Sequence, residues 1–450
     1  MAHGLSDYRS REETRQLQME QLQMTLNRAY FNVDFYRKRM DSLQLLPEDV
    51  ASCDDFSRFP FTTRRDLAEH YPYGLFAEPL KSIVRLEISN PAWLDQHRPI
   101  VVGFTRHDVA MWRSLMVRLY KQLGVTERDI LQVAFNFSLF PGAFTFNHAA
   151  EILGATLAPS ATISATLQLQ IMQDFRSTVL ATTAAFALHM AETMERQSLD
   201  ASRLHLRLML LGPDPLSQDT RQRLESAFKI PVYGLYGVNE MVEPGVAGEC
   251  PAQDGLHLAE DQFLAEIVHP TTGEPVTPGH EGELVLTTLT TEAYPLIRYR
   301  TGDITVLREA PCVCGRTSAR LARILRRTDN RISIRGIPLY PEQVEALLRG
   351  IDPSLDDFRL IVYTSHGIGE QLEIYLVRSA SQDFPGGSRS QFLELTRSRV
   401  RRALGLGVRL QIVDAERLPK EGLTYKTIFR SAASVADREP AVDGGRTLAE

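Results

Sequence analysis

Through residues 8–45, Leu17, Met19, Leu22, Met24 and Leu26 stand among Gln, Glu and Arg, and the pattern predicts helix. From Asp129 the pattern shortens. Ile130 to Phe135, Ala155 to Ala158, Ser177 to Ala181, Leu206 to Leu211 and Pro231 to Tyr236 are brief apolar runs separated by helix-length segments. Such alternation predicts βαβ units and a largely parallel sheet. Gln262 to Val268 and Gly282 to Leu289 follow, set off by Pro and Gly turns, and read as a more antiparallel region. Beyond Asp329 the order is strand, helix (Pro341 to Leu348), strand (Phe358 to Tyr363), strand (Gln371 to Val377), helix (Ser390 to Leu404) and strand, a compact α+β unit of domain size. The expected fold class is α/β. A large N-terminal domain over 1–328 combines parallel αβ sheets with the antiparallel region, and a small α+β C-terminal domain covers 329–433. The tail 434–450 has little hydrophobic content and predicts disorder.

At 450 residues and 43% hydrophobic, the chain can bury two such cores. No apolar run approaches the roughly 18 residues of a membrane span, and the start has no basic-then-apolar leader, so a soluble, cytoplasmic protein is expected. A formal net charge of −6 argues against nucleic acid as a general partner. Four cysteines make no disulfide framework. One charge feature stands out. Arg316, Arg320, Arg323, Arg326, Arg327, Arg331 and Arg335 crowd one segment, which is either a solvated face or a surface for phosphates or an acidic partner.

Several ordered motifs carry chemistry. Phe31-Asn-Val-Asp-Phe-Tyr-Arg-Lys, Phe59-Pro-Phe-Thr-Thr-Arg-Arg-Asp-Leu, Tyr233-Gly-Leu-Tyr-Gly-Val-Asn-Glu-Met, Tyr299-Arg-Thr-Gly-Asp, Arg326-Arg-Thr-Asp-Asn and Ile334-Arg-Gly-Ile-Pro-Leu-Tyr-Pro occur in that order. In this the chain, over roughly residues 20 to 430, resembles the aryl-CoA ligases of the phenylacetate-CoA ligase type, in the adenylate-forming (ANL) superfamily. The resemblance implies a role for each motif. Glu240 would be the carboxylate beside Mg²⁺. Asp303 would accept from both ribose hydroxyls, as an acceptor-only carboxylate can. Tyr236 and Arg327 would contact the nucleotide, and Asp329 would be the hinge about which the small domain swings. Arg335 and Gly336 would line the pantetheine approach of CoA.

Two elements of that family are missing. The segment that should cradle phosphates, Arg85 to Thr105, has no glycine between Glu87 and Val102, although backbone N–H groups usually converge on an anion through glycines. Asn90, Trp93 and Arg98 stand there instead. At the C-terminus Leu423 occupies the position of the family's active-site lysine, with Lys426 three residues on. Both losses fall on the step that expels pyrophosphate. The expectation is therefore an acyltransferase that has lost adenylation. It would move an anthraniloyl or benzoyl-type group from acyl-CoA, a CoA thioester substrate, to the thiol of an acyl carrier protein, as in antibiotic biosynthesis. AMP or Cys53 is the candidate carrier of the acyl group between visits. Two alternatives stand beside it: an ATP-dependent aryl-CoA ligase using Ser89, Asn90 and Arg98 for phosphate, and a non-catalytic acyl-thioester-binding subunit. A homodimer is left open.

The acyl pocket implied by the resemblance gathers Phe137, Phe140, Phe186 and Tyr236, which suit a flat aryl group, with core packing as the other reading of the phenylalanines. His148 is placed with the catalytic residues as the group that orients a substituent. Apart from this site, Cys250, His257, Cys312 and Cys314 form a Cys/His set suited to tetrahedral, structural zinc, with buried free thiols as the alternative.

Overall fold

The computed structural model describes residues 6–430 apart from 90–98, 136–141, 161–162, 213–215, 278, 330–331, 335–336, 366–368, 379–383, 386, 415–417, 419–422 and 425–426. It divides into two compact units, Met1–Pro338 and Leu339–Glu450. The tail expected from 434 lies outside the described residues.

The first α-helix of the first unit is Arg11–Asn32, opened by a capping box between Ser10 and Glu13. Leu22, Leu26 and Ala29 recur at intervals of four and three and are buried. On the same face Gln18 donates to the Glu260 and Phe263 carbonyls, and Thr25 to Leu289. The helix does not run on to residue 45 as the sequence pattern predicts. Val33 adopts extended backbone angles that end it and begin the helix Asp34–Ser42. A β-branched residue at the break is consistent with its cost in helix and its ease in extended backbone.

Among the described residues nine strands form the principal sheet, in the order Leu307–Arg308, Arg320–Leu321, Leu256–Leu258, Ala247–Glu249, Val232–Tyr236, Leu208–Leu211, Val179–Thr182, Ile130–Ala134 and Thr156–Pro159. The last five pair in parallel, and from Val232–Tyr236 toward Leu307–Arg308 the pairings turn antiparallel. Val179–Thr182 and Leu208–Leu211 are buried along their whole length, which explains why they read as unbroken apolar runs rather than alternating ones. A second, antiparallel sheet joins Phe263–Val268, Gly282–Thr288, Tyr299–Thr305 and Arg326–Arg327. The α/β class and the antiparallel region expected from the sequence are both present. No helix among the described residues is long and apolar enough to cross a membrane.

In the second unit the helices Pro341–Ile351 and Arg389–Leu404 accompany a sheet of five strands among the described residues. Its central hairpin pairs Leu355–Ser365 with Gly369–Arg378, and Val408–Ile412 lies parallel to the latter. Arg378 and Asp352 form a buried ion pair there.

Candidate active site

Two sheets deliver the groups expected to form the nucleotide site. Tyr236 ends a fully buried strand of the principal sheet, and Asp303 sits within Tyr299–Thr305 of the second. Tyr236 Oη donates to Asp303 Oδ2 at 2.6 Å. Burial, reinforced by the Asp303 charge, holds the phenol far above its ordinary pKa, so the proton stays on Tyr236 and fixes the carboxylate. The backbone N–H of Asp303 donates to Thr301 Oγ1 at 3.0 Å, and that hydroxyl donates to the Leu284 carbonyl at 2.7 Å.

Arg327 faces Asp303 in strand register and is paired with its Oδ1. The same guanidinium forks onto Asp329, Nε to Oδ1 at 2.6 Å and Nη2 to Oδ2 at 2.8 Å. One arginine thus bridges Asp303 and the expected hinge residue Asp329, a bidentate geometry that lysine could not reproduce. Gly302, at φ +79°, makes room for it: a Cβ there would lie 2.8 Å from Arg327 Nη2.

Glu240 lies four residues beyond Tyr236 and is only 4% exposed. Its Oε1 is paired with Arg64 Nη1. The turn between is tight, because a Cβ on Gly237 would lie 2.6 Å from both the Glu243 Cα and the Val242 carbonyl oxygen. The sequence motif that holds Arg64 assigns the arginine no role by itself. The signal available was a pair of consecutive basic residues, Arg64 and Arg65, in a segment otherwise matched to the family.

The remaining residues fall out unevenly. Phe137, Phe140, Arg335 and Gly336 lie outside the described residues, as do Asn90, Trp93, Arg98, Lys426 and the side chains of Ser89, Cys53 and Leu423. Phe186 is half-buried at the start of the helix Ala184–Arg196, with its ring centroid 6.2 Å from that of His189. His148 lies on the helix Ala143–Leu153, and its Nδ1 is buried with no hydrogen-bond partner among the described residues. Burial, then the nearby Arg113 charge, lowers its pKa. The arginine-rich run is not one continuous basic face. Arg316 pairs with Asp7, Arg320 with Asp254, Arg326 with Glu281 and Arg327 with Asp303 and Asp329.

A separate cluster gathers Cys250, His257, Cys312 and Cys314, whose ligand atoms all lie within 4.8 Å of one another. The hairpin Ala247–Glu249 with Leu256–Leu258 carries His257 and delivers Cys250 immediately after its first strand. The Cys312 to Arg316 turn closes through a Gly315 N–H to Cys312 carbonyl bond of 2.9 Å, with Gly315 at φ +87° and Val313 93% exposed at the tip. Cys250 Sγ and Cys312 Sγ are 3.8 Å apart, too far for a disulfide, and Cys314 Sγ is 3.4 Å from His257 Nε2. Burial pushes the Cys250 thiol up to about 12 and His257 down to about 4, leaving the imidazole neutral.

With this geometry in view, residues 106–291 match the AMP-binding enzyme family. The chain is 36% identical over 353 residues to the phenylacetate-coenzyme A ligase of Thermus thermophilus, covering 78% of this chain and 79% of that protein. It is 34% identical over 412 residues to the Escherichia coli phenylacetate-coenzyme A ligase, covering 91% and 93%. The chain belongs to the phenylacetate-CoA ligase-like group of the adenylate-forming superfamily. Among solved structures, 2-hydroxyisobutyryl-CoA ligase in complex with 2-HIB-AMP and CoA superposes with a TM-score of 0.86 at 22% identity, over 96% of this chain and 92% of that one, which establishes the shared fold.

This membership corrects the expectation of an acyltransferase that has lost adenylation. Relatives alike over more than three quarters of the chain are ligases, so this adenylate-forming enzyme is not read as a thioester-to-thioester transferase. The physical error lies in equating a glycine-poor loop with an absent phosphate grip. Convergence of donors and cations in space decides anion binding, and a side chain from elsewhere in the fold can supply the charge.

Proposed function

We propose that this chain is an ATP-dependent aryl-CoA ligase that joins a phenylacetate-, anthranilate- or benzoate-type acid to CoA through an acyl-adenylate. The cluster of Asp303, Tyr236 and Arg327, with Glu240 four residues beyond Tyr236, is the observation that carries this reading. In the first half-reaction a carboxylate oxygen of the aryl acid attacks the α-phosphorus and pyrophosphate leaves. In the second, the CoA thiol attacks the acyl carbon, loses its proton, and AMP leaves. Asp303, held by Tyr236, accepts from the ribose hydroxyls. Glu240 offers the carboxylate that would hold Mg²⁺, which supplies positive charge to the phosphates.

The finer assignments rest on the resemblance. Arg335 and Gly336 line the pantetheine path, and Phe137, Phe140 and Phe186 shape the aryl pocket, with His148 toward a ring substituent. Asp329 is the hinge between functional domains 1–328 and 329–433. Its ion pair with Arg327 gives that hinge a contact to exchange when the small domain turns. A cytoplasmic location accompanies this reading.

Zinc fits the Cys250, His257, Cys312 and Cys314 set. Sulfur–sulfur and sulfur–nitrogen separations of 3.8 and 3.4 Å are close to the edges of a tetrahedron with metal–ligand bonds of about 2.0–2.3 Å. His257 Nδ1 lies 2.9 Å from Ser318 Oγ, the outer contact that leaves Nε2 available to a metal. Four protein ligands leave no open position, so the role is structural.

Incubation with ATP, Mg²⁺, CoA and phenylacetate, followed by loss of free thiol and mass analysis, tests the activity. Aryl-CoA with stoichiometric AMP is expected. If neither phenylacetate nor a benzoate or anthranilate analogue consumes thiol, the reading fails.

A further inference from the structure

We propose that Arg64 is a phosphate-contacting residue: its guanidinium holds Glu240 in the nucleotide-free enzyme and transfers to the β- and γ-phosphates when a Mg²⁺–ATP complex takes over that carboxylate. The inference rests on the ligase reading and names a cation that serves its first half-reaction.

The contact itself is unequal. The Glu240 side chain is 5% exposed and that of Arg64 30%, so the carboxylate is the buried partner and the guanidinium the one that reaches toward solvent. The backbone beneath Arg64 is bolted to the strand bearing the ribose carboxylate. Thr62 N–H donates to the Arg298 carbonyl at 3.0 Å, the Arg300 N–H donates to the Thr62 carbonyl at 2.9 Å, and Thr62 Oγ1 donates to Ile297 at 2.6 Å. Thr63 and Asp66 form a capping box around the next turn, and Arg39 clamps both the Phe61 carbonyl and Asp66 at 2.8 Å. Arg64 is therefore a long cationic arm on a fixed base, two residues from the bridge to Tyr299 and on the same frame as Asp303.

Charge balance supplies the exchange. A carboxylate that binds a divalent cation cannot keep a guanidinium in direct contact without bringing two positive groups together. The displaced arginine then finds, within one side chain's reach, the anion that came with the metal. Guanidinium matches phosphate oxygens in bidentate fashion, which an exposed lysine would do less well. The chain also needs such a cation. It lacks glycine between Glu87 and Val102 and carries Leu423 where the resemblance expects lysine, both on the side of the reaction that expels pyrophosphate.

A purely structural Arg64, present only to neutralise buried Glu240, would affect all nucleotides alike. Equilibrium titration of wild type, Arg64→Gln and Arg64→Lys with Mg²⁺–ATP and with AMP separates the two roles, with thermal melting run on each variant. Arg64→Gln is expected to weaken Mg²⁺–ATP binding by about tenfold or more and AMP binding by less than about threefold, with Arg64→Lys recovering part of the difference. Equal weakening of the two ligands, or none, overturns the proposal. Pyrophosphate release by the wild type reports separately on the ligase reading: its presence beside an Arg64→Gln variant that binds Mg²⁺–ATP normally overturns the Arg64 inference alone, and its absence with all aryl acids overturns both.

Discussion

Glutamine in place of Glu240 is expected to slow adenylate formation by about a hundredfold or more, the scale set by loss of one electrostatic contact made where charge develops. Glu240 is nearly solvent-free, follows the tight Gly237 turn and lies just beyond the Tyr236 and Asp303 pair, so the substitution removes charge without removing shape. Arg64 loses one ionic contact, but it is the more exposed member and can be solvated, so folding should change little. Single-turnover formation of aryl-adenylate from ATP and aryl acid measures the effect, with circular dichroism melting alongside. A loss under about threefold at unchanged melting would reduce Glu240 to a structural partner of Arg64.

The second large effect concerns the Cys/His cluster. Purified protein is expected to carry about one zinc per chain, and Cys312→Ser to lose it together with several degrees of thermal stability, because binding energy of such sites is folding energy. The damage should spread to the N-terminal segment. Arg316 pairs with Asp7, the Thr317 N–H donates to the Asp7 carbonyl at 2.9 Å, and Thr317 Oγ1 donates to the Arg9 carbonyl at 2.5 Å. The Cys312 to Arg316 turn thus fastens the start of the first helix, and limited proteolysis of Cys312→Ser should cut before Arg11. Metal analysis finding no zinc in either protein, with equal melting, would leave four clustered donors and no metal centre.

Much of this was legible in the sequence, for reasons that can be named. The inner parallel strands Val179–Thr182, Leu208–Leu211 and Val232–Tyr236 announced themselves because they are buried along their length and so read as uninterrupted apolar runs. Tyr236, Asp303, Arg327 and Asp329 were legible through motif resemblance, and the structure brings them into one hydrogen-bonded set. The metal-like set was legible because cysteines are few and three cluster with one histidine. The break at Val33 was not, since helical periodicity persists on both sides of it and one extended residue leaves no pattern. Nor was the Arg64 to Glu240 pair, whose members are 176 residues apart and meet only through the sheets between them. A glycine-poor loop does not by itself mean that ATP chemistry is lost. A deficit of glycine is local, whereas charge neutralisation is a sum over the whole site.

The proposed ligase activates a free aryl acid with ATP before CoA reacts. Exchange of labelled pyrophosphate into ATP, without CoA and with phenylacetate, benzoate or anthranilate, tests it most directly. The prediction is exchange that requires both Mg²⁺ and one of the acids and falls in Arg64→Gln. No acid-dependent exchange by the wild type, under conditions where the Escherichia coli relative exchanges readily, would contradict it.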